Sequence, residues 1–419
     1  MDFEYVKVEY SPEIEEFRKE VQAWLAENAP PEIQAPHDQG GMGITEEHHY
    51  ELYGWSAEFR RKLGAKRWLY PTMPYKYGGG GLTPDHAAVI NEEIEKRRPP
   101  EIFSVDLILG PIIVWGTEEQ KEKFLPGLYR GETLTMQGFT EPQGGSDLAN
   151  IKSTAVKDGD DWIINGQKTF CGGIPGYTNL IFSPIMTDPD SPRHRNLGFF
   201  LIPAKAPGVT LIPLRLLNGI HQNFVIFDNV RVPGDNLIGG DHNGWQVSQT
   251  VLEEEHGGAP SEATGPTRDG DAGHLSDFIR STNAGRHSLA GELTAHERLA
   301  DVYIEGRFAT LFRLRNYSMY KSREELSYHG SQVSAFGKEL GLRQAARMRD
   351  VMGPYALLHH DDKLAPRGGW HERRQRGAVI APHVAGATEV QKVIVARRLG
   401  MSRTQERPAP TAGLVAAEK

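Results

Sequence analysis

The feature that most constrains this chain is a change of pattern between residues 134 and 243. Short segments rich in β-branched and aromatic residues follow one another there, and Asp-Gly, Asn-Gly and Pro-Gly pairs separate them as turns. Before this block, apolar residues recur at helical spacing, as in 12–28 and 117–129, and after it the chain is again largely helical to about residue 400. A run of strands between two runs of helices predicts an α+β multi-domain chain rather than alternating βαβ units.

The same pattern sets the expected boundaries. We predict an N-terminal helical domain over 1–133, a middle antiparallel β-barrel or sandwich over 134–243, a C-terminal helical domain over 244–405 and a tail over 406–419. The four glycines at 78–81 do not follow a strand and open a helix. They therefore do not predict a dinucleotide-binding loop.

Bulk composition excludes several classes of protein. The net charge of −8 argues against a nucleic-acid binder, which needs a concentrated basic surface. No apolar run reaches the roughly 20 residues that span a bilayer. The opening sequence MDFEYVKVEY lacks the layout of a signal peptide. We therefore expect a cytoplasmic protein without a membrane span.

Cysteine and histidine give no sign of a metal site. Cys171 is the one cysteine of the sequence, which excludes an intrachain disulfide and a cysteine metal cluster. It could be a reactive thiol, but a small buried apolar residue is the favoured interpretation. The adjacent pairs His48-His49 and His359-His360 do not have the one-face spacing of helical metal ligands, so we interpret them as surface residues.

The segment MQGFTEPQGGSD at 136–147 opens the strand-rich block. It brings backbone N–H groups close to the hydroxyls of Thr140 and Ser146, and its glycines allow a ligand to approach the backbone. A polar loop between domains is the plain alternative for such a string.

TEPQGGSD resembles the TEP-x-x-GSD signature of the acyl-CoA dehydrogenase family. Similar stretches follow the family's order across residues 12–402, namely LYPTMPYKYGGGGL, GTEEQKEKFLPGLYRGE, DGDDWIINGQKTF, VIFDNVRVPGDNLIGGDHNGW and ATEVQKVIVARRLG. The resemblance implies an N-terminal helical domain, a middle β domain and a C-terminal four-helix bundle, with FAD as the cofactor.

The resemblance also implies roles for individual residues. Gln137, Phe139 and Thr140 would line the flavin ring, and Phe170 would cover one flavin edge in place of a family tryptophan. Ser146 would lie near both the flavin and the acyl-CoA. The other implied cofactor residues are Gly145, Gly172, Gly353 and Glu389, and the other implied substrate residues are Glu253 and His256, of which His256 replaces a family arginine.

The family reaction needs a carboxylate that removes the proton α to the thioester. Most members carry this glutamate before a glycine near the C-terminus, and the matching residue here is Ala385, which cannot take a proton. Some members carry it on the first helix of the C-terminal domain, where TVLEEEHGG at 250–258 aligns Glu255. The resemblance therefore implies Glu255 as the base.

Helical geometry supports the same residue. At about 100° per residue, Glu255 projects near the centre of an apolar face, Glu254 lies at the edge of that face and Glu253 points away from it. Burial there should raise the pKa of Glu255. The apolar face consists of Trp245, Val247, Val251 and Leu252. The alternative is a solvated acidic run at a helix end closed by Gly257-Gly258.

Three functions remain open from the sequence. The leading one is an FAD-dependent dehydrogenase that introduces a 2,3-double bond into an acyl-CoA, with an electron-transfer flavoprotein or similar acceptor. Ala385, Ala387 and Pro354 depart from the common motifs and resemble the branch that handles steroid side chains and other bulky acyl groups, often as heteromers. A flavin-poor or non-catalytic subunit, in a homo- or hetero-dimer or tetramer, is the second possibility. A family-fold oxidase or eliminating enzyme is the third.

Overall fold

The N-terminal part of the chain is helical, as the sequence predicts. The computed structural model describes residues 9–29, 50–97, 99–100, 104–219, 221–255, 270–281, 283–284, 287–322, 324–403 and 409–410. Its first helices are α1 (Pro12–Asn28), α2 (Tyr50–Ala65), α3 (Pro84–Arg97), α4 (Leu109–Trp115) and α5 (Glu118–Tyr129). Helix α1 begins where the Ser11 side chain accepts from the Ile14 N–H, and α5 begins at a capping box between Thr117 and Gln120.

The middle of the chain forms one sheet. Its strands are β1 (Thr135–Gln137), β2 (Thr154–Asp158), β3 (Asp161–Cys171), β4 (Leu180–Met186), β5 (Leu197–Pro203), β6 (Val209–Arg215), β7 (His221–Pro233) and β8 (Leu237–Ile238). They pair in the order β6-β7-β3-β2-β4-β5-β8, with β1 beside β4. The pairs β1–β4 and β2–β4 are parallel, and the others are antiparallel.

This order decides between the two predicted forms of the β domain. Strands β6 and β8 stand at the two ends of the path and do not pair with each other within the described sheet. The closed barrel is therefore wrong, because the sheet has two open edges. A sandwich arrangement stays compatible with the strand order.

Helices return after the sheet. They are α6 (Gly244–Glu253), α7 (Asp271–Ser281), α8 (Leu293–Lys321), α9 (His329–Met352), α10 (Trp370–Ile380) and α11 (Thr388–Arg398), with a short hairpin of β9 (Asn283–Ala284) and β10 (His287–Ser288) before α8. Helix α9 packs against α7, α8, α10 and α11 and lies at the centre of this region. None of the described helices combines the length and the apolar character that crossing a membrane requires.

Strand β5 is buried on both of its faces. Along β5, Phe199 and Leu201 enter a core shared with α4, α5 and α6, while Phe200 and Ile202 enter a second core with residues of β3 and β7. Side chains alternate across a strand, so the continuous apolar run LGFFLIP fills both cores. Helix α6 is thereby packed against the sheet, and its C-terminal end lies at the candidate site.

Candidate active site

The end of α6 places three consecutive glutamates in three different surroundings. After Glu253 the helix widens into a π-helical turn over 254–255, a rare geometry that recurs at functional sites. Glu253 forms an ion pair with Arg398 of α11. The Glu254 carboxylate lies against Gly110 of α4, where an added Cβ would come within 2.2 Å of Glu254 Oε1.

Glu255 reaches the first strand of the sheet. Gln137 Nε2 donates a hydrogen bond to Glu255 Oε2 over 3.3 Å, and the carboxylate side chain is partly buried. Burial raises the pKa of Glu255, while the Gln137 hydrogen bond and the positive charge of Lys338 act in the opposite direction. A carboxyl group with a raised pKa, joined to the segment that carries the TEP motif, is suited to accept a proton.

Residue 385, where most of the family carries the catalytic glutamate, lies in a turn whose carbonyl oxygens accept hydrogen bonds from a lysine. Ala385 and Gly386 have left-handed backbone, with φ of 49° and 69°. Lys338 Nζ, from α9, donates to the carbonyl oxygens of Val384 at 2.7 Å and Ala385 at 2.9 Å, and also to that of Gly386. Gln391 Nε2 adds a hydrogen bond to the Ala385 carbonyl at 3.2 Å. Because the Ala385 side chain is a methyl group, the turn supplies no side-chain base.

A buried ion pair fixes the TEP segment. Lys168 Nζ of β3 lies 2.8 Å from Glu141 Oε1, and the two side chains are 0% and 3% exposed. Glu141 also accepts from the backbone N–H groups of Lys152 at 2.7 Å and Ser153 at 3.1 Å. Burial alone would raise the pKa of Glu141, but the Lys168 charge and these donors lower it to about 2.

The sequence analysis missed this pair, although a signal was present. Alternation along β3 places Lys168 on the same inward face as Trp162 and Ile164. A charged residue at an inward strand position predicts a buried partner, because an unpaired charge is costly to bury.

Phe170 has an unusual backbone for an aromatic residue. Its φ is 55°, a region that residues other than glycine rarely adopt, and the pairing of β3 with β7 shifts register between Lys168 and Cys171. The Phe170 side chain is 55% exposed. Strained conformations of this kind cluster at functional sites. An exposed ring that the sheet holds in place can stack on a flat ligand.

The other predicted flavin contacts differ in accessibility. Gly145 and Ser146 are exposed, and Thr140 and Gly172 are partly buried. The Phe139 ring is 7% exposed and packs edge-to-face on two other phenylalanines of the core. The backbone of Phe139, rather than its ring, can therefore contact a ligand.

Two predicted site residues do not join this group, and a third is not among the described residues. Gly353 follows the last residue of α9, roughly 20 Å along the helix from Lys338 at 1.5 Å per residue. Glu389 is exposed in the first turn of α11. His256 lies outside the described residues. Their contacts with cofactor and substrate stay predictions.

The remaining thiol and imidazoles are accounted for separately. Cys171 is fully buried and burial raises its pKa to about 12, which confirms the interpretation as a buried apolar residue. His359 and His360 are exposed and lie beside Asp361, which is also exposed, with ligand atoms within 4.8 Å of one another. The pair His48-His49 lies outside the described residues.

The residues around Gln137 fit a flavin. The Thr169 N–H donates to the Thr140 carbonyl at 2.8 Å, which joins the Phe170 bulge to the TEP segment. An exposed aromatic residue thus adjoins the backbone polar groups of the TEP segment, and Gln137 lies three residues before Thr140 in the same stretch of chain. These groups match the flat, hydrogen-bonding edge of an isoalloxazine ring.

Family models match both the helical and the strand-rich parts of the chain. The acyl-CoA dehydrogenase N-terminal domain matches residues 11–132, and the acyl-CoA dehydrogenase middle domain matches 137–230. Together they account for just over half of the sequence.

Individual relatives extend the likeness to the C-terminal region. The chain is 27% identical to acyl-CoA dehydrogenase FadE26 of Mycobacterium tuberculosis, over 95% of this chain and 99% of that protein. The crystal structure of the ChsE4-ChsE5 complex from Mycobacterium tuberculosis has a TM-score of 0.77 at 26% identity, over 95% of this chain and 100% of that one. The Tcur3481-Tcur3483 steroid ACAD shares the fold, with a TM-score of 0.78 at 24% identity over 96% of this chain and 100% of that one. The chain therefore belongs to the acyl-CoA dehydrogenase family of flavin-dependent oxidoreductases.

Proposed function

We propose that the chain is an FAD-dependent acyl-CoA dehydrogenase that introduces a 2,3-double bond into an acyl-CoA thioester, with Glu255 as the base. The observation that carries the proposal is the partly buried Glu255 carboxylate in contact with Gln137, at the segment expected to bind the flavin. The usual base position offers only the methyl group of Ala385. Glu255 is therefore the carboxylate best placed for proton abstraction.

Each residue has a distinct part in this proposal. When bound, FAD supplies the acceptor for the hydride that leaves the β carbon. Gln137, Thr140 and Phe170 hold and cover the flavin ring, and Gln137 also orients the Glu255 carboxylate through its 3.3 Å hydrogen bond. Glu255 takes the proton from the α carbon onto a carboxylate oxygen. The raised pKa makes the carboxylate a stronger base than one in water.

We further propose a bulky, branched or cyclic acyl group. The solved relative described as a steroid ACAD and the departures at Ala385 and Pro354 favour this class. We place the reaction in the cytoplasm, as the sequence predicts, with an electron-transfer flavoprotein or similar acceptor taking the electrons.

The test is anaerobic flavin reduction by a panel of linear, branched, cyclic and steroid acyl-CoA esters. We expect bleaching of the flavin absorbance, fastest with bulky esters. Glu255→Gln should slow it by about 10²–10⁴-fold, as expected for loss of a general base. Glu254→Gln, whose carboxylate faces α4, is the matched control and should stay within about threefold of wild type. Equal rates for Glu255→Gln and wild type would exclude Glu255 as the base.

A second candidate is a subunit with little catalysis of its own. One observation favours assembly with another chain: Ile304, Phe308 and Leu311 lie on one face of α8 and are each at least 50% exposed. Phe308→Asp should lower the mass measured by light scattering, while Glu16→Lys at an exposed position of α1 should not. A flavin-loaded chain that bleaches with substrate in the absence of any other protein would exclude this candidate. Rapid peroxide formation without an acceptor would favour oxidase chemistry instead.

A further inference from the structure

Lys338 is a partly buried cation whose role the family motifs do not explain. It lies within α9, and its Nζ atom donates to the carbonyl oxygens of residues 384, 385 and 386. A protonated lysine has three N–H donors, whereas the neutral amine has two. Three carbonyl acceptors around one nitrogen therefore indicate the ammonium form.

The charge of this ammonium acts on Glu255. The positive charge of Lys338 favours the ionised form of Glu255. Burial lowers the pKa of Lys338, and the Glu255 charge together with the three carbonyl acceptors opposes this by favouring the protonated form. The carboxylate of Glu255 accepts its hydrogen bond from Gln137, and Lys338 donates its hydrogen bonds to the turn. The two groups thus interact through charge without a direct hydrogen bond among the contacts that the structure describes.

The other charged and titratable groups around the end of α6 are engaged elsewhere. Glu253 is bound by Arg398 of α11. The Glu254 carboxylate lies against α4, and its charge raises the pKa of Tyr129 of α5 and of Tyr320 of α8, after burial as the main cause. Lys338 is therefore the cation that acts on Glu255 within the described part of the chain.

We propose that Lys338 is the positioning residue of this site: the 384–386 turn holds its ammonium at a fixed place from which it keeps Glu255 ionised. The inference rests on the proposed function, in which Glu255 must be a carboxylate to take a proton. The turn that carries a glutamate in most of the family serves here as the acceptor for a cation. Its carbonyl oxygens satisfy the ammonium, so the charge acts on Glu255 without occupying the carboxylate oxygens.

The sign of the effect follows from the charge. A positive charge lowers the pKa of a carboxyl group, so removing it makes Glu255 harder to ionise. The acid limb of the pH profile of kcat/KM for flavin reduction should then move to higher pH. We expect a shift of about one pH unit in Lys338→Met. At a pH one unit below the wild-type limb, this corresponds to a loss of almost tenfold relative to wild type.

The experiment compares four variants of the full flavin-loaded chain by anaerobic stopped-flow between pH 5 and 10. Lys338→Met removes both the charge and the donors. Lys338→Gln removes the charge but keeps two N–H donors for the turn. It replaces Lys338→Met in the comparison if the methionine variant does not fold. Lys338→Arg keeps the charge and should return the acid limb toward wild type. Lys392→Met, which removes an exposed lysine paired with Glu339 of the same helix as Lys338, should leave the limb in place.

The outcomes separate this inference from the proposed function. An acid limb that moves upward in Lys338→Met or Lys338→Gln, and returns in Lys338→Arg, supports it. A folded Lys338→Gln with lower thermal stability but an unmoved limb shows a purely structural lysine and overturns it. If Glu255→Gln reduces the flavin as fast as wild type, the proposed base itself fails, whatever the Lys338 variants do.

Discussion

Two regions of the molecule bury a glutamate near a lysine, and they treat the pair in opposite ways. In the sheet, Lys168 Nζ contacts the Glu141 carboxylate at 2.8 Å. At the end of α6, Lys338 donates to backbone carbonyls and acts on Glu255 through its charge. The pKa of Glu141 falls to about 2, whereas that of Glu255 rises.

The difference shows how the same two residue types can be structural or reactive. Direct contact saturates the carboxylate of Glu141 with donors, so it stays ionised and cannot accept a substrate proton. Redirecting the lysine to carbonyl oxygens leaves the carboxylate of Glu255 with one weak donor, Gln137 at 3.3 Å. If Glu255 is the base, as we propose, the acceptor of the lysine distinguishes the structural glutamate from the reactive one.

The largest effect should come from breaking the sheet pair. Lys168→Met leaves the buried charge of Glu141 unpaired, which should lower the free energy of unfolding by about 3–5 kcal/mol. Urea denaturation measures this, and flavin content should fall in parallel because Glu141 fixes the TEP segment. Lys123→Met removes an exposed pair with Asp235 and should cost less than about 1 kcal/mol. Equal losses in the two variants would contradict the comparison.

Acid should weaken the sheet pair in a defined window. Because the folded pKa of Glu141 lies near 2 and its ordinary value near 4.5, its stabilisation is present above pH 4.5 and is lost as the pH falls toward 2. Glu141→Gln should be less stable than wild type by about 3 kcal/mol at neutral pH. This gap, followed by urea denaturation from pH 7 downward, should close toward pH 2. A gap that does not change with pH would mean that charge contributes little.

A smaller effect should distinguish a displaced base from a base whose electrostatic surroundings have changed. Arg398, whose side chain is 3% exposed, anchors Glu253 and also donates to the Ser327 carbonyl at 2.7 Å. Arg398→Met should displace the end of α6 and slow flavin reduction about tenfold, because base and substrate lose alignment. The acid limb of the pH profile should stay in place, unlike that of Lys338→Met. Partial recovery of the rate in Arg398→Lys is the matched check.

The smallest effect concerns stability at the proposed base. The pKa of Glu255 is raised in the folded chain, so its ionised form costs stability above that pKa. Glu255→Gln should therefore raise the melting temperature slightly, by about 1 °C, while activity collapses. Differential scanning calorimetry at pH 7.5 measures it, with Glu254→Gln alongside. A clear fall in melting temperature would show that the Glu255 carboxylate stabilises the fold.

The order of helical and strand-rich parts could be predicted because periodicity is a local property. The sheet order could not, since β1 pairs with β4 and β3 with β7 across long stretches of chain. The open edges at β6 and β8, which exclude the barrel, depend on those pairings. Strand pairing is set by tertiary packing rather than by neighbouring residues.

The candidate site could also be predicted only in part. Glu255 and Gln137 were predicted from motif resemblance, and helix geometry supported Glu255. Their mutual hydrogen bond spans 118 positions and has no sequence signature. Lys338 and its turn were missed because a lysine within a helix is usually solvated, and only the folded turn shows where its donors go.

The π-helical turn at the end of α6 also changes how many residues the helix contains over a given length. It accommodates more residues than an α-helical turn, so it behaves locally like a single-residue insertion. Glu254 lies within it, and its carboxylate needs the missing side chain of Gly110 on α4. Insertion and glycine therefore complement each other, because the Glu254 carboxylate occupies the space that a side chain at residue 110 would need. A larger residue at Gly110 would require the Glu254 side chain to move.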